Sequence, residues 1–259
     1  MKPLISHSES FKFQDDRKLM LEIIDLRKSF GENHVLNGFN LKLYEGENLV
    51  IMGKSGSGKS VMIKCLVGLL PADSGSIKIM GKDITKLNRV ELDNVRTEIG
   101  FLFQGNALYD SMTVRENLEF PMRRHQDKFK HIKDTELLVM EALESVGLAH
   151  TIDLLPAELS GGMKKRIALA RALIMKPKII LYDEPTSGLD PITSKEIIEL
   201  MRKVQKKYKT SSLIITHDVD CARVVSERMI LLVDGRNYAE GSFADLASSQ
   251  EEQVKAFFK

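Results

Sequence analysis

No apolar run in this 259-residue chain approaches the roughly 18–20 residues that span a bilayer. The opening stretch MKPLISHSESFKFQDDRK has no apolar centre of the kind a secretory signal carries. The expectation is a soluble chain that another subunit must hold at any membrane it serves. An excess of one charge sign is also nearly missing: 38 Lys and Arg stand against 36 Asp and Glu, a formal net charge of +2. No polyanion is favoured as a partner, and nucleic acid is not expected. Cysteine is scarce. Cys65 and Cys221 lie far apart in apolar, helix-like contexts, which argues against a disulfide framework and for a reduced, cytoplasmic setting. No internal repeat and no low-complexity linker interrupts the chain. Apolar residues are plentiful, 43% against 29% charged, enough for one large domain or two small ones with a real core and too many for disorder.

Residues 1–20 read as a polar tail of mixed charge. From Leu21, LEIIDLRKSF predicts a strand, GEN a turn, and LNGFNLKLYEGE a second strand region with alternating faces. NLVIMG (48–53) is a short apolar run closed by glycine, as expected of a buried strand. SVMIKCLVGLL (60–70) has helical spacing and is closed by Pro71. Residues 88–175 are charge-rich and mostly helical in pattern, as in TELLVMEALESVGL, which ends at Gly147. Buried-strand runs return at KIILYDE (178–184), SLIITHD (212–218) and MILLVDG (229–235), separated by the helical segments PITSKEIIELMRKVQKKY and DVDCARVVSER. Strands alternating with helices predict a parallel sheet covered on both faces. The expected architecture is one α/β domain over 21–259, its core at about 21–87 and 176–259, with a helical subdomain inserted at 88–175.

GKSGSGKS (53–60) fits G-x-x-x-x-G-K-[ST] between a predicted strand and a predicted helix, the context that makes this motif a phosphate cradle. Its glycines let backbone N–H groups close around phosphates, and the helix start adds partial positive charge. The candidate phosphate contacts are Gly53, Lys54, Ser55, Gly56, Ser57, Gly58, Lys59, Ser60 and the following Val61. Lys59 would reach the β/γ-phosphates and Ser60 would ligate Mg²⁺. IILYDEP (179–185) supplies the complement: Asp183 at a strand's carboxyl end can hold magnesium through water, and Glu184 can polarise a water aimed at the γ-phosphate. A second phosphate-like helix start follows a hundred residues on. LSGGMKKRIALARAL (159–173) puts Gly161 and Gly162 at the head of an amphipathic helix, leaving N–H groups bare for an anion. The run Lys164, Lys165, Arg166 reads as that helix's solvated side.

With these motifs in order, the chain resembles the ATPase subunit of ABC transporters from about Leu21 onward. LSGGM (159–163) matches the family signature, with Met163 where glutamine is commoner. Gln104 in FLFQGN matches the Q-loop, SGLD (187–190) the D-loop, and His217 in IITHD the switch histidine. Phe30, 23 residues before Gly53, falls where the family stacks an aromatic ring on adenine. The resemblance implies a P-loop NTPase core of the ABC type, with a mostly parallel sheet, flanking helices and an antiparallel β part. It implies ATP and Mg²⁺ as cofactors and a head-to-tail dimer of two copies. In that dimer Ser160, Gly161 and Gly162 of one subunit face the γ-phosphate held by the other, so one chain presents two half-sites that do not meet within it. It further implies Ser60, Gln104 and Asp183 around Mg²⁺, Glu184 as general base, His217 at the γ-phosphate, and Asp190 linking the sites across the dimer.

The wording FQGNALYDSMTVRENLEFPMR (103–123), together with the signature helix, is similar to the ATPases of Mla-type, Mce-associated phospholipid transporters. That resemblance implies a transmembrane permease and an Mce-domain lipid-binding protein as partners, at the cytoplasmic face of a bacterial inner membrane. ATPases for amino-acid import or lipoprotein release share every catalytic motif. ABC ATPases that act on ribosomes or DNA ends usually carry two cassettes or a long coiled coil; this chain has one P-loop and no heptad tract.

Overall fold

The computed structural model describes residues 17–130 and 134–258. Most of the 1–20 segment lies outside the described residues, and its end, Leu19 and Met20, already belongs to the first strand. Among the described residues ten strands form: β1 (Leu19–Phe30), β2 (Asn33–Tyr44), β3 (Asn48–Met52), β4 (Ser74–Ile79), β5 (Lys82–Asp83), β6 (Ile99–Leu102), β7 (Ile179–Asp183), β8 (Ser211–Thr216), β9 (Arg228–Val233) and β10 (Arg236–Gly241). They make two sheets, an antiparallel one in the order β2-β1-β4-β5 and a larger one in the order β10-β9-β3-β8-β7-β6. The larger sheet is parallel except for its β9–β10 edge.

The runs read as buried strands are buried on both faces, and their alternation divides them between two cores. Val50, Met52, Ile180, Tyr182, Ile214, Met229 and Leu231 face one core. Their neighbours Leu49, Ile51, Ile179, Leu181, Leu213, Ile215, Ile230 and Leu232 face the other. The helices are α1 (Lys59–Leu66), α2 (Arg89–Arg96), α3 (Val114–Arg124), α4 (Gln126–Phe129), α5 (Thr135–Ser145), α6 (Gly161–Leu173), α7 (Pro191–Tyr208), α8 (Val219–Val225), α9 (Phe243–Ala247) and α10 (Glu252–Lys255). Apolar stripes of α3, α5, α6, α7 and α8 close the first core. The second is closed by α1 together with the inner face of the antiparallel sheet. The two sheets meet where Asn37 N–H donates to Gly235 O at 2.9 Å. Gly235 has φ +70, and a Cβ there would lie 2.3 Å from Val35 O, so only glycine permits the approach.

Two elements differ from the sequence reading. The helix expected over 60–70 stops at Leu66, because Gly68 turns with φ +68 and Leu69 N–H closes back on Lys64 O at 2.8 Å. Within the charge-rich 88–175 stretch, Ile99–Leu102 is a strand, the parallel edge partner of β7. Four residues are too few for a periodicity to show, and their pairing partner lies some eighty residues away in the chain.

Candidate active site

The P-loop is the connection from β3 to α1. Gly56 and Gly58 take φ +81 and +102, and a Cβ on Gly58 would come 2.8 Å from Val35 O, so the turn is closed to other residues by conformation and by contact. Gly53 is closed by contact alone: a Cβ would meet Ser57 Oγ at 2.4 Å. No side chain caps the start of α1, which leaves its first N–H groups to be met from outside the helix. The Lys59 ammonium arches back and donates to Gly53 O at 2.5 Å and Lys54 O at 2.9 Å. Burial pushes its pKa down, and the carboxylates of Glu184 and Asp183 partly oppose that shift.

β7 delivers the two acids. Asp183 ends the strand and pairs in register with Ile215 of β8. Burial, reinforced by the neighbouring Glu184 charge, raises its carboxyl pKa. Glu184 is 8% exposed and sits in the left-handed region at φ +50, a strained state for a residue with a Cβ. Its N–H is tied to Ile215 O at 2.8 Å. Its Oε2 lies 2.8 Å from His217 Nδ1. The His217 side chain is otherwise 70% exposed. His217 is held from behind through Asp218, which caps α8 and accepts from Thr186 Oγ1 at 2.8 Å.

These groups share one cleft of about 680 Å³, lined by Phe30, Val35, Ser55, Gly56, Gly58, Lys59, Ser60, Val61, Gln104, Asp183, Glu184 and His217. Phe30 is 50% exposed at its rim, not packed in the core. Gln104 donates from Nε2 to Ser187 Oγ at 3.3 Å. Ser60, Gln104 and Asp183 bring oxygen donors to the cleft, the ligand type that suits Mg²⁺. Among the described residues no cluster of three or more His, Cys, Asp or Glu is arranged to hold a metal. An ion here would take one carboxylate and rely on phosphate oxygens for much of the rest. Ser160, Gly161 and Gly162 do not line this cleft.

The signature residues open α6 instead. Ser160 is its N-cap, Oγ accepting from Met163 N–H at 3.2 Å, which leaves the hydroxyl hydrogen free to donate. Gly162 allows α6 to abut α7: a Cβ would lie 2.5 Å from Thr193 Cγ2. Asp190 caps α7, accepting from Ile192 N–H and Thr193 N–H at 3.0 Å each and from Thr193 Oγ1 at 2.6 Å. The Thr193 hydroxyl first, then these amides, hold its carboxyl pKa down. The run 164–166 is not a solvated side. Lys165 is 2% exposed and donates to Gln104 O at 2.7 Å, and Arg166 pairs with Glu196 of α7. A further residue escaped the sequence reading: Asn117, fully buried, donates to Tyr109 O, Met112 O and Thr113 O and accepts from Tyr109 N–H. An amide falling in the apolar stripe Val114–Leu118–Met122 was the available signal.

A glycine loop feeding a helix, a lysine over it and a strand ending in two acids, gathered on one cleft, define a P-loop nucleotide hydrolase. A family model described as ABC transporter matches residues 36–187. The chain belongs to the ABC transporter family, as its ATP-binding, ATP-hydrolysing subunit, with ATP and Mg²⁺ as its cofactors. It is 40% identical to the methionine import ATP-binding protein MetN of Clostridium tetani over 91% of this chain and 73% of that one. It is 41% identical to the "Probable ribonucleotide transport ATP-binding protein mkl" of Mycobacterium leprae, over 92% of this chain and 68% of that one. The ATP-binding cassette MJ0796, solved as a dimer in a post-hydrolysis state bound to ADP and Pi, superposes with a TM-score of 0.77 at 34% identity, over 86% of this chain and 99% of that one.

Proposed function

We propose that this chain powers an envelope phospholipid transporter of the Mla type, working as a head-to-tail pair beneath a permease that partners an Mce-domain lipid-binding protein. The observation that carries the cargo is the 103–123 wording, joined to LSGGMKKRIALARAL. In the fold, that stretch runs from the Q-loop into α3 and is ordered by the Asn117 amide. No helix among the described residues is long and apolar enough to cross a membrane, so attachment falls to the permease and the chain sits peripherally, at the inner face of the membrane. A second reading, methionine or other amino-acid import, is favoured by the MetN identity.

In the working site, Lys59 and the amides of residues 53–61 hold the β- and γ-phosphates of ATP, and Phe30 offers its exposed ring to adenine. Ser60, Asp183 and Gln104 would hold Mg²⁺, which when bound neutralises charge on the phosphate oxygens. Glu184 takes a proton from the water that attacks the γ-phosphorus. The bond from that phosphorus to the β–γ bridging oxygen breaks, giving ADP and phosphate. His217, fixed on the same carboxylate, and the partner's Ser160 and glycine amides stabilise charge on the γ-phosphate. Because Ser160–Gly162 do not line this chain's own cleft, they serve the other copy, with Asp190 and its D-loop between the two sites.

Affinity purification of the tagged chain from native membranes in mild detergent, read by mass spectrometry, tests the assignment. A multi-span permease with an Mce-domain protein supports lipid transport. A permease with an amino-acid-binding protein overturns the cargo and keeps the ATPase mechanism.

A further inference from the structure

Two cations of α6, Lys165 in its second turn and Arg171 in its last, both end on the backbone of the Q-loop. Lys165 Nζ donates to Gln104 O at 2.7 Å and to Phe103 O at 3.4 Å. Arg171 donates through Nη1 to Ala107 O at 2.8 Å and through Nη2 to Asn106 O at 3.2 Å. Asn106 and Ala107 both hold positive φ, +62 and +52, a turn that residues with a Cβ adopt only when their surroundings impose it. Burying an ammonium is costly unless its hydrogen bonds are met, and here carbonyls of one five-residue stretch meet them. Two charge-assisted clamps, one at each end of the helix that Ser160 caps, therefore fix the Q-loop to it.

We propose that Lys165 is a positioning residue for Gln104: it holds the Q-loop backbone against α6, so that Gln104 reaches the Mg²⁺ of this chain's own cleft only when the signature helix is in place. This rests on the reading of Gln104 as a magnesium ligand. Engagement of Ser160 by the nucleotide of the other copy then sets the position of Gln104, and each half-site reports its occupancy to the other. Lys165 touches neither nucleotide nor metal; it acts through the Gln104 main chain.

The test uses the purified full chain with Lys165→Met, Lys165→Arg and Gln104→Ala. Three readouts apply: binding of a fluorescent ATP analogue across a Mg²⁺ titration and in chelator, hydrogen–deuterium exchange over 103–107, and the melting temperature. Lys165→Met is expected to raise the Mg²⁺ needed for half-maximal binding by roughly tenfold, the scale on which groups behind a metal ligand act. It should speed exchange over 103–107 and leave affinity in chelator unchanged. Lys165→Arg should restore both properties. If Lys165→Met does not fold, Lys165→Gln, which keeps one donor, is expected to fall between. A shifted Mg²⁺ requirement in Gln104→Ala with none in Lys165→Met overturns the proposal and leaves the magnesium reading standing. No shift in either variant overturns both.

Discussion

Gly162→Ala tests whether the second signature glycine is there for packing, for phosphate, or for both. The added Cβ would sit 2.5 Å from Thr193 Cγ2, with the next atom, Thr193 Cβ, at 3.9 Å. Thr193 cannot rotate away freely, since its Oγ1 donates to Asp190 Oδ2 at 2.6 Å. Overpacking of this kind costs about 1–3 kcal/mol. For a chain of this length, that is a fall of about 2–12 °C in melting temperature. Thr193→Ser deletes the one clashing methyl and keeps the hydroxyl, so in its background the same glycine substitution should cost little and gain up to about 1 kcal/mol of helix propensity. Thermal melts of the wild type, both single variants and the double variant, in parallel with ATPase rates, complete the cycle. The expected outcome is a rescued melting temperature with hydrolysis still impaired, because in the proposed head-to-tail pair Gly162 also faces the other copy's phosphate. A wild-type melt for Gly162→Ala, or no rescue by Thr193→Ser, would refute the close-approach reasoning. Rescue of both properties would refute the phosphate role.

Glu184→Gln is expected to cut hydrolysis by about 10²–10⁴-fold, the usual contribution of a general base, while ATP still binds and a closed dimer accumulates on size-exclusion chromatography. Wild-type turnover would remove Glu184 from that role. Lys59→Ala should weaken ATP binding by about 10–150-fold, the equivalent of a lost charge-assisted hydrogen bond, as read by titration calorimetry. Asp183 carries a raised carboxyl pKa in the fold, so its contribution to stability is present below the ordinary carboxylate range and is lost as pH rises through the raised value. Asp183→Asn is blind to that titration. Without nucleotide, the variant should melt above the wild type at neutral pH, and the gap should narrow as pH falls into the carboxylate range. A constant gap would contradict the shift.

How much of this was legible in the sequence depended on whether the information was local. The P-loop was, because its glycines, lysine and serine act through the backbone of their own turn, and the strand before it and helix after it carry their own apolar patterns. IILYDE was legible for the same reason: residues buried on both faces read as an unbroken apolar run, and the acids mark where that strand emerges. Gly235 and Gly162 were visible as residues but not as close approaches, since Val35 and Thr193 reach them only through the fold. The charge run 164–166 misled most. Three adjacent cations suit a solvated helix face, yet successive residues on a helix point about 100° apart, so one of the three can turn inward without changing the pattern. Whether it does depends on finding partners, and those of Lys165 are carbonyls some sixty residues earlier in the chain. A carbonyl has no side-chain signature: any sequence at 103–104 offers one. Buried cations that serve main-chain acceptors are therefore the class of functional residue that composition and motif reading miss. In this chain one of them, Lys165, ties the signature helix to the Q-loop backbone.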